Sequence, residues 1–128
     1  MSVMTEKQHA GAFILGSPKG GDLSFDAIVV AQGASILDPG IVLGQITASG
    51  VANTGLFVPL NLAALDGSQL AAGILVDRCD STVANAAAVA LVRNAEVSSA
   101  ALVWPPGATI SQQAVALAQL ASNFVIAR

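Results

Sequence analysis

The sequence predicts a mainly β protein with one short C-terminal helix and an extended N-terminal arm. Three observations carry this. Short apolar runs recur between clusters of Gly, Pro, Asp and Asn, the spacing of strands and turns. One stretch near the C-terminus has helical periodicity behind a capping pattern. Gly11, Gly16, Pro18, Gly20 and Gly21 are too frequent for a helix or a central strand, so residues 1–23 read as an arm on a body of residues 24–128. A chain of 128 residues can hold one core, not two.

The strands follow in order. Ala27-Ile28-Val29-Val30 is a run ended by Gln32-Gly33, and Asp38-Pro39-Gly40 is a turn leading into the apolar stretch 41–47. Leu56-Phe57-Val58 is closed by Pro59. Gly73-Ile74-Leu75-Val76 ends in the polar cluster Asp77-Arg78-Cys79-Asp80. Residues 87–92 and Glu96-Val97 add a fifth run and a sixth. Such an order suits a small antiparallel barrel or sandwich.

The helix starts at Thr109, with Gln112 three residues on. Ile110, Ala114, Leu117, Ala118 and Ala121 are expected on one face, with Gln112, Ala116, Gln119 and Asn123 on the other. Asn123 is the expected stop, because Asn tolerates the left-handed conformation. Phe124-Val125-Ile126 reads as a last strand.

Composition narrows the function. The chain has 5 Lys+Arg and 8 Asp+Glu, where an average domain of this length carries about 32 charged residues. Its apolar fraction of 54% excludes intrinsic disorder. A net charge of -3 argues against nucleic acid as partner, because five cations cannot neutralise the phosphates that binding requires. Residues 97–127 carry no charge and are long enough to span a bilayer. Pro105-Pro106-Gly107 and the polar residues within that stretch argue against a membrane partner, as does an N-terminus without a signal-peptide pattern. The lone Cys79 allows no internal disulfide and fits synthesis in a reducing compartment. So few charges leave much of the surface apolar, which is expected of a protein working inside an assembly.

No reactive constellation emerges. His9 lies in the arm, where a tail is not expected to hold it rigidly against a third catalytic group, and Cys79 sits among carboxylates that discourage a thiolate. Asp77 and Asp80 beside Arg78 read as turn and pairing residues before they read as an acid–base pair or metal ligands. Gly16-Ser17-Pro18-Lys19-Gly20-Gly21 lacks the order of a phosphate loop, and Pro18 removes a donor such a loop needs. Asp66-Gly67-Ser68-Gln69 is a tight turn.

Four segments, in order, carry a family likeness. His9-x-Gly11-x-Phe13-Ile14 comes first, and Asp66-Gly67-Ser68-Gln69 with Ala71-Ala72-Gly73-Ile74-Leu75 comes second. Arg93-Asn94-Ala95-Glu96-Val97 and Leu102-Val103-Trp104-Pro105 complete the set. Together they resemble the lambda-like phage head decoration proteins, over residues 5–128. Ala12 departs from the pattern, where an acid is expected.

The resemblance implies a compact antiparallel β barrel or β-clip-like body that forms a homotrimer. It would bind the phage major capsid protein on the outer surface of the virion, at three-fold and quasi-three-fold positions, and stabilise the shell against internal DNA pressure. It implies no cofactor, no metal and no catalysis. The expected capsid-binding arm comprises Thr5, His9, Gly11, Phe13, Ile14 and Leu15, with its apolar patch free to order as an added strand on a capsid sheet edge. In that strand Phe13 and Leu15 would share one face, with Ile14 on the other. Asp66, Gly67, Trp104 and Pro105 are the expected trimer or body contacts. A tail or fibre component, or a small β-barrel ligand-binding protein or enzyme, is the alternative.

Overall fold

The computed structural model describes residues 9–16 and 22–128. Along the chain run β1 (Ile14–Gly16), β2 (Phe25–Val30), β3 (Ile36–Leu37), β4 (Val42–Gln45), β5 (Phe57–Pro59) and β6 (Ala71–Leu75). Then come β7 (Cys79–Asp80), β8 (Ala86–Leu91), β9 (Ala95–Val97), α1 (Ile110–Ala121) and β10 (Val125–Ala127). Of the two expected architectures the barrel is realised. It closes in the order β2-β5-β4-β6-β8. Its backbone is the antiparallel pair β2/β8, in register from Phe25↔Leu91 to Val30↔Ala86. The closure is not wholly antiparallel, since β2 meets β5 in parallel at Val30↔Phe57.

The strands read as near-continuous apolar runs because several are buried on both faces, and successive side chains point to opposite sides. Leu43, Leu75 and Ala90 join Ile28, Val30 and Phe57 in a core fed by all five barrel strands. Their sequence neighbours Val42, Ile74 and Leu91 face outward into a second core. That second core is covered by Phe13, Val97, Val125, Ala116 and Leu120, from the segment before β1, from β9, β10 and α1. Strands β1, β9 and β10 form a separate sheet in the order β1-β9-β10, antiparallel on one side and parallel on the other.

Two short elements differ from expectation. Cys79-Asp80 is not merely the polar end of a strand: it is β7, paired antiparallel with β3 through Ile36↔Asp80 and Leu37↔Cys79. Leu37 and Cys79 thereby enter the barrel core, and burial, with Asp80 adjoining, pushes the Cys79 thiol pKa up.

The predicted capping box is present. Gln112 donates its backbone N–H to Thr109 Oγ1 at 3.2 Å, and Thr109 N–H donates to Gln112 Oε1 at 2.9 Å. The apolar face of Ile110, Ala114, Leu117, Ala118 and Ala121 is covered only at Leu117, which packs half-buried on the second core; Ala116 and Leu120 are the buried residues of α1, and Ile110, Ala114, Ala118 and Ala121 are exposed. The cause is a backbone donor: Ala71 N–H, opening β6, needs an acceptor, and Gln119 Oε1 accepts its hydrogen bond at 2.7 Å. That bond turns the Gln119 side of the helix toward the barrel. The helix stop also differs: Ser122 caps α1 in helical geometry, and Phe124, not Asn123, is left-handed at φ 64°. The reversal at Phe124 lets its carbonyl accept from Ala95 N–H at 3.1 Å as β10 runs parallel to β9. Among the described residues no helix is long and apolar enough to cross a membrane.

Candidate interaction surfaces

The arm residues fall in three settings. Thr5 lies outside the described residues, as do residues 17–21 of the Gly-rich segment. His9 is exposed, and its carbonyl accepts from Ala12 N–H at 3.1 Å in a turn. Gly11 takes φ 70° in that turn, and its N–H donates to Val76 O at 2.9 Å, tying the segment to the body just past β6. Ser98 N–H then donates to Phe13 O at 2.8 Å.

The apolar patch is therefore not a free strand awaiting a partner. Phe13 is 0% exposed and belongs to the second core, Ile14 packs half-buried against it, and β1 is already paired with β9. The expected alternation fails because Phe13 sits in the turn rather than in the strand, so it does not share a face with Leu15. Leu15, 56% exposed on an edge strand, is the one apolar side chain of the patch that faces outward.

Asp66 and Gly67 are half-buried and employed within the fold. Asp66 Oδ1 accepts from Ser68 N–H at 3.1 Å and Ser68 Oγ at 2.6 Å, and these bonds hold its pKa below the ordinary value. Gly67 takes φ 104°, and a Cβ there would collide with Thr47 Oγ1 and the Gln45 carbonyl. Gly44 of β4 meets the same turn, since its Cβ would overlap the Ser68 backbone. The turn thus locks against β4, a local role that the tight-turn motif already expresses. Trp104 packs half-buried on the second core, the core that Phe13 fills. Pro105 lines an open hollow of about 450 Å³ between residues 59–63 and 105–107.

The carboxylates considered for chemistry serve turns and pairs. Asp77 Oδ1 accepts from Arg78 N–H at 2.7 Å, and the Arg78 side chain pairs with Asp38 at 3.2 Å. Asp80 Oδ1 accepts from Thr82 N–H and Oγ1 at 3.0 and 2.6 Å, which lowers its pKa. Arg93 holds Asp26 through two bonds of 3.1 and 2.8 Å and also donates to Leu23 O. Arg128 pairs with Glu96. Among the described residues no group of three or more His, Cys, Asp or Glu is placed to hold a metal ion.

Sequence reasoning missed the outer arc of α1, where Ile110 is 86% exposed and Val115 58%. It also missed the hollow beside that arc, of about 260 Å³, lined by Leu62, Val115 and Ala116. The signal lay in the two uncharged tracts, residues 39–65 and 97–127, which contribute both walls.

No curated protein matches the chain. The family model of bacteriophage lambda head decoration protein D matches residues 3–125. With nearly its whole length matched, the chain belongs to the phage lambda head decoration protein D family.

Proposed function

We propose that this protein coats the outside of an expanded phage capsid as a homotrimer, at three-fold and quasi-three-fold positions. There it ties neighbouring capsid subunits together against the outward pressure of packaged DNA. The match to a structural head-protein family over residues 3–125 is the observation that carries this reading. The surface supports it: Leu65, Val83, Ile110 and Phe124 are large apolar side chains open to solvent on a chain with only 13 charged residues. The protein is made in the bacterial host cytoplasm and resides on the virion.

Capsid contact is assigned to the N-terminal segment that includes Thr5, His9, Gly11, Phe13, Ile14 and Leu15. With Phe13 in the core, Phe13 and Ile14 anchor the segment to the body, and Leu15 and the outer edge of β1 are what a capsid strand meets. One such edge binds weakly. Three on a rigid trimer act together, and linked sites gain about 10²–10⁴ in affinity without any new contact. Backbone pairing and apolar contact make the attachment resistant to salt, unlike binding to phosphate.

Expanded shells lacking decoration, incubated with the purified protein and imaged by electron cryomicroscopy, test the proposal. It expects three-fold density on the outer face and shells that survive higher temperature. Bare shells contradict it, and density on the tail alone moves the protein to a tail or fibre role.

A further inference from the structure

Two neighbouring hollows of the described surface are lined without a charged side chain. The tracts at residues 39–65 and 97–127 contain no Asp, Glu, Lys or Arg, and the fold brings them face to face. Pro59, Leu60 and Leu62 form one wall of an open hollow, and Pro105, Pro106 and Gln112 the other. Leu62 and Gln112 continue into the second hollow against Val115. No charged side chain lines either hollow. Next to them the exposed arc of α1 runs through Ile110, Ser111, Ala114, Val115 and Ala118, again without a charge.

Covering such a face selects its partner by charge. A protein of average composition, about a quarter charged, brings ionic groups that would lose water here and find no counter-charge. A second copy of this same face brings none. The two parts also differ in shape, α1 being a ridge and the proline-lined groove a hollow. Ridge against hollow is a heterologous contact, the kind that closes into a ring when the rotation permits.

We infer that this charge-free face is where copies of the chain meet, the α1 ridge of one seating in the hollow of residues 59–63 and 105–107 of the next. This rests on the homotrimer reading above. Val83, 83% exposed in the connection between β7 and β8, directly follows the exposed Asp80–Thr82 turn and serves as the control for an exposed apolar residue outside the face.

The test is solution mass by sedimentation equilibrium, on the full-length chain. Wild type and Val83→Asp are expected at three chain masses. Val115→Asp, on the ridge, and Pro106→Asp, on the hollow, are expected at one chain mass with unchanged circular dichroism, both positions being exposed. Val115→Asp combined with Pro106→Lys is expected to recover assembly, because ridge and hollow then carry opposite charges. If both single variants stay trimeric, the face is assigned wrongly although the trimer stands. If they stay trimeric and fail to bind shells, the face belongs to the capsid and the inference is overturned. A monomeric wild type overturns the trimer reading and this inference with it.

Discussion

Residues 9–16 and the outer arc of α1 are both rich in apolar side chains, yet the ring of Phe13 is covered by the chain's own body and the α1 arc is left to solvent. Phe13 is held inside by its backbone: Gly11 N–H donates to Val76 O, and Phe13 O accepts from Ser98 N–H. Ile110, Ala114 and Ala118 are held outside by a backbone need elsewhere, because Gln119 must reach the Ala71 N–H. Hydrophobicity favours burial of either segment. Which one is buried follows from where the unpaired N–H and C=O groups of the barrel find partners.

Four substitutions, the last read by acid titration, would break or sharpen that contrast. Phe13→Ala removes a fully buried aromatic ring and should cost about 3–5 kcal/mol, read from denaturant unfolding of the free protein. An unshifted midpoint would mean that Phe13 contributes only when the capsid is present. Gln119→Leu keeps the helix amphipathic but strands the Ala71 N–H, at an expected cost of about 1–3 kcal/mol. Equal stability would show that the orientation of α1 is set by packing alone. Thr109→Ala removes the cap and should cost about 1 kcal/mol, without changing which helix face is covered by hydrogen exchange.

The smallest effect concerns acid. Asp66 and Asp80 have folded-state pKa values below 3.8, through hydrogen bonds from Ser68 and Thr82. Their contribution is complete above the unfolded-chain value and is lost as pH falls through the folded one. Asp80→Asn should therefore make stability fall less steeply below pH 3.8, and an identical acid limb would show that the Thr82 bonds add nothing.

Much of the barrel was legible, and the reasons are local. Two-sided burial wrote continuous apolar runs at Val42-Leu43 and Ile74-Leu75, and turn chemistry wrote Asp66-Gly67 and Thr109-x-x-Gln112. What stayed hidden depends on distant partners. Cys79-Asp80 becomes a strand only because Ile36-Leu37 lies alongside. Phe124 adopts the left-handed conformation because β10 must turn back along β9, a demand that outweighs the better tolerance of Asn123. The shortage of charge announced a contact surface, but its location required knowing that residues 59–63 meet residues 105–112.

Amide hydrogen exchange at Ser98 in the free, undecorated protein tests most directly whether the Phe13 segment is part of the body. Its N–H donates to Phe13 O, a bond that exists only while that segment is docked. Slow exchange, similar to that of the β2/β8 core, is the predicted result. Rapid exchange in solution that slows only on capsids would contradict it, and would return residues 9–16 to a free arm that folds on its partner.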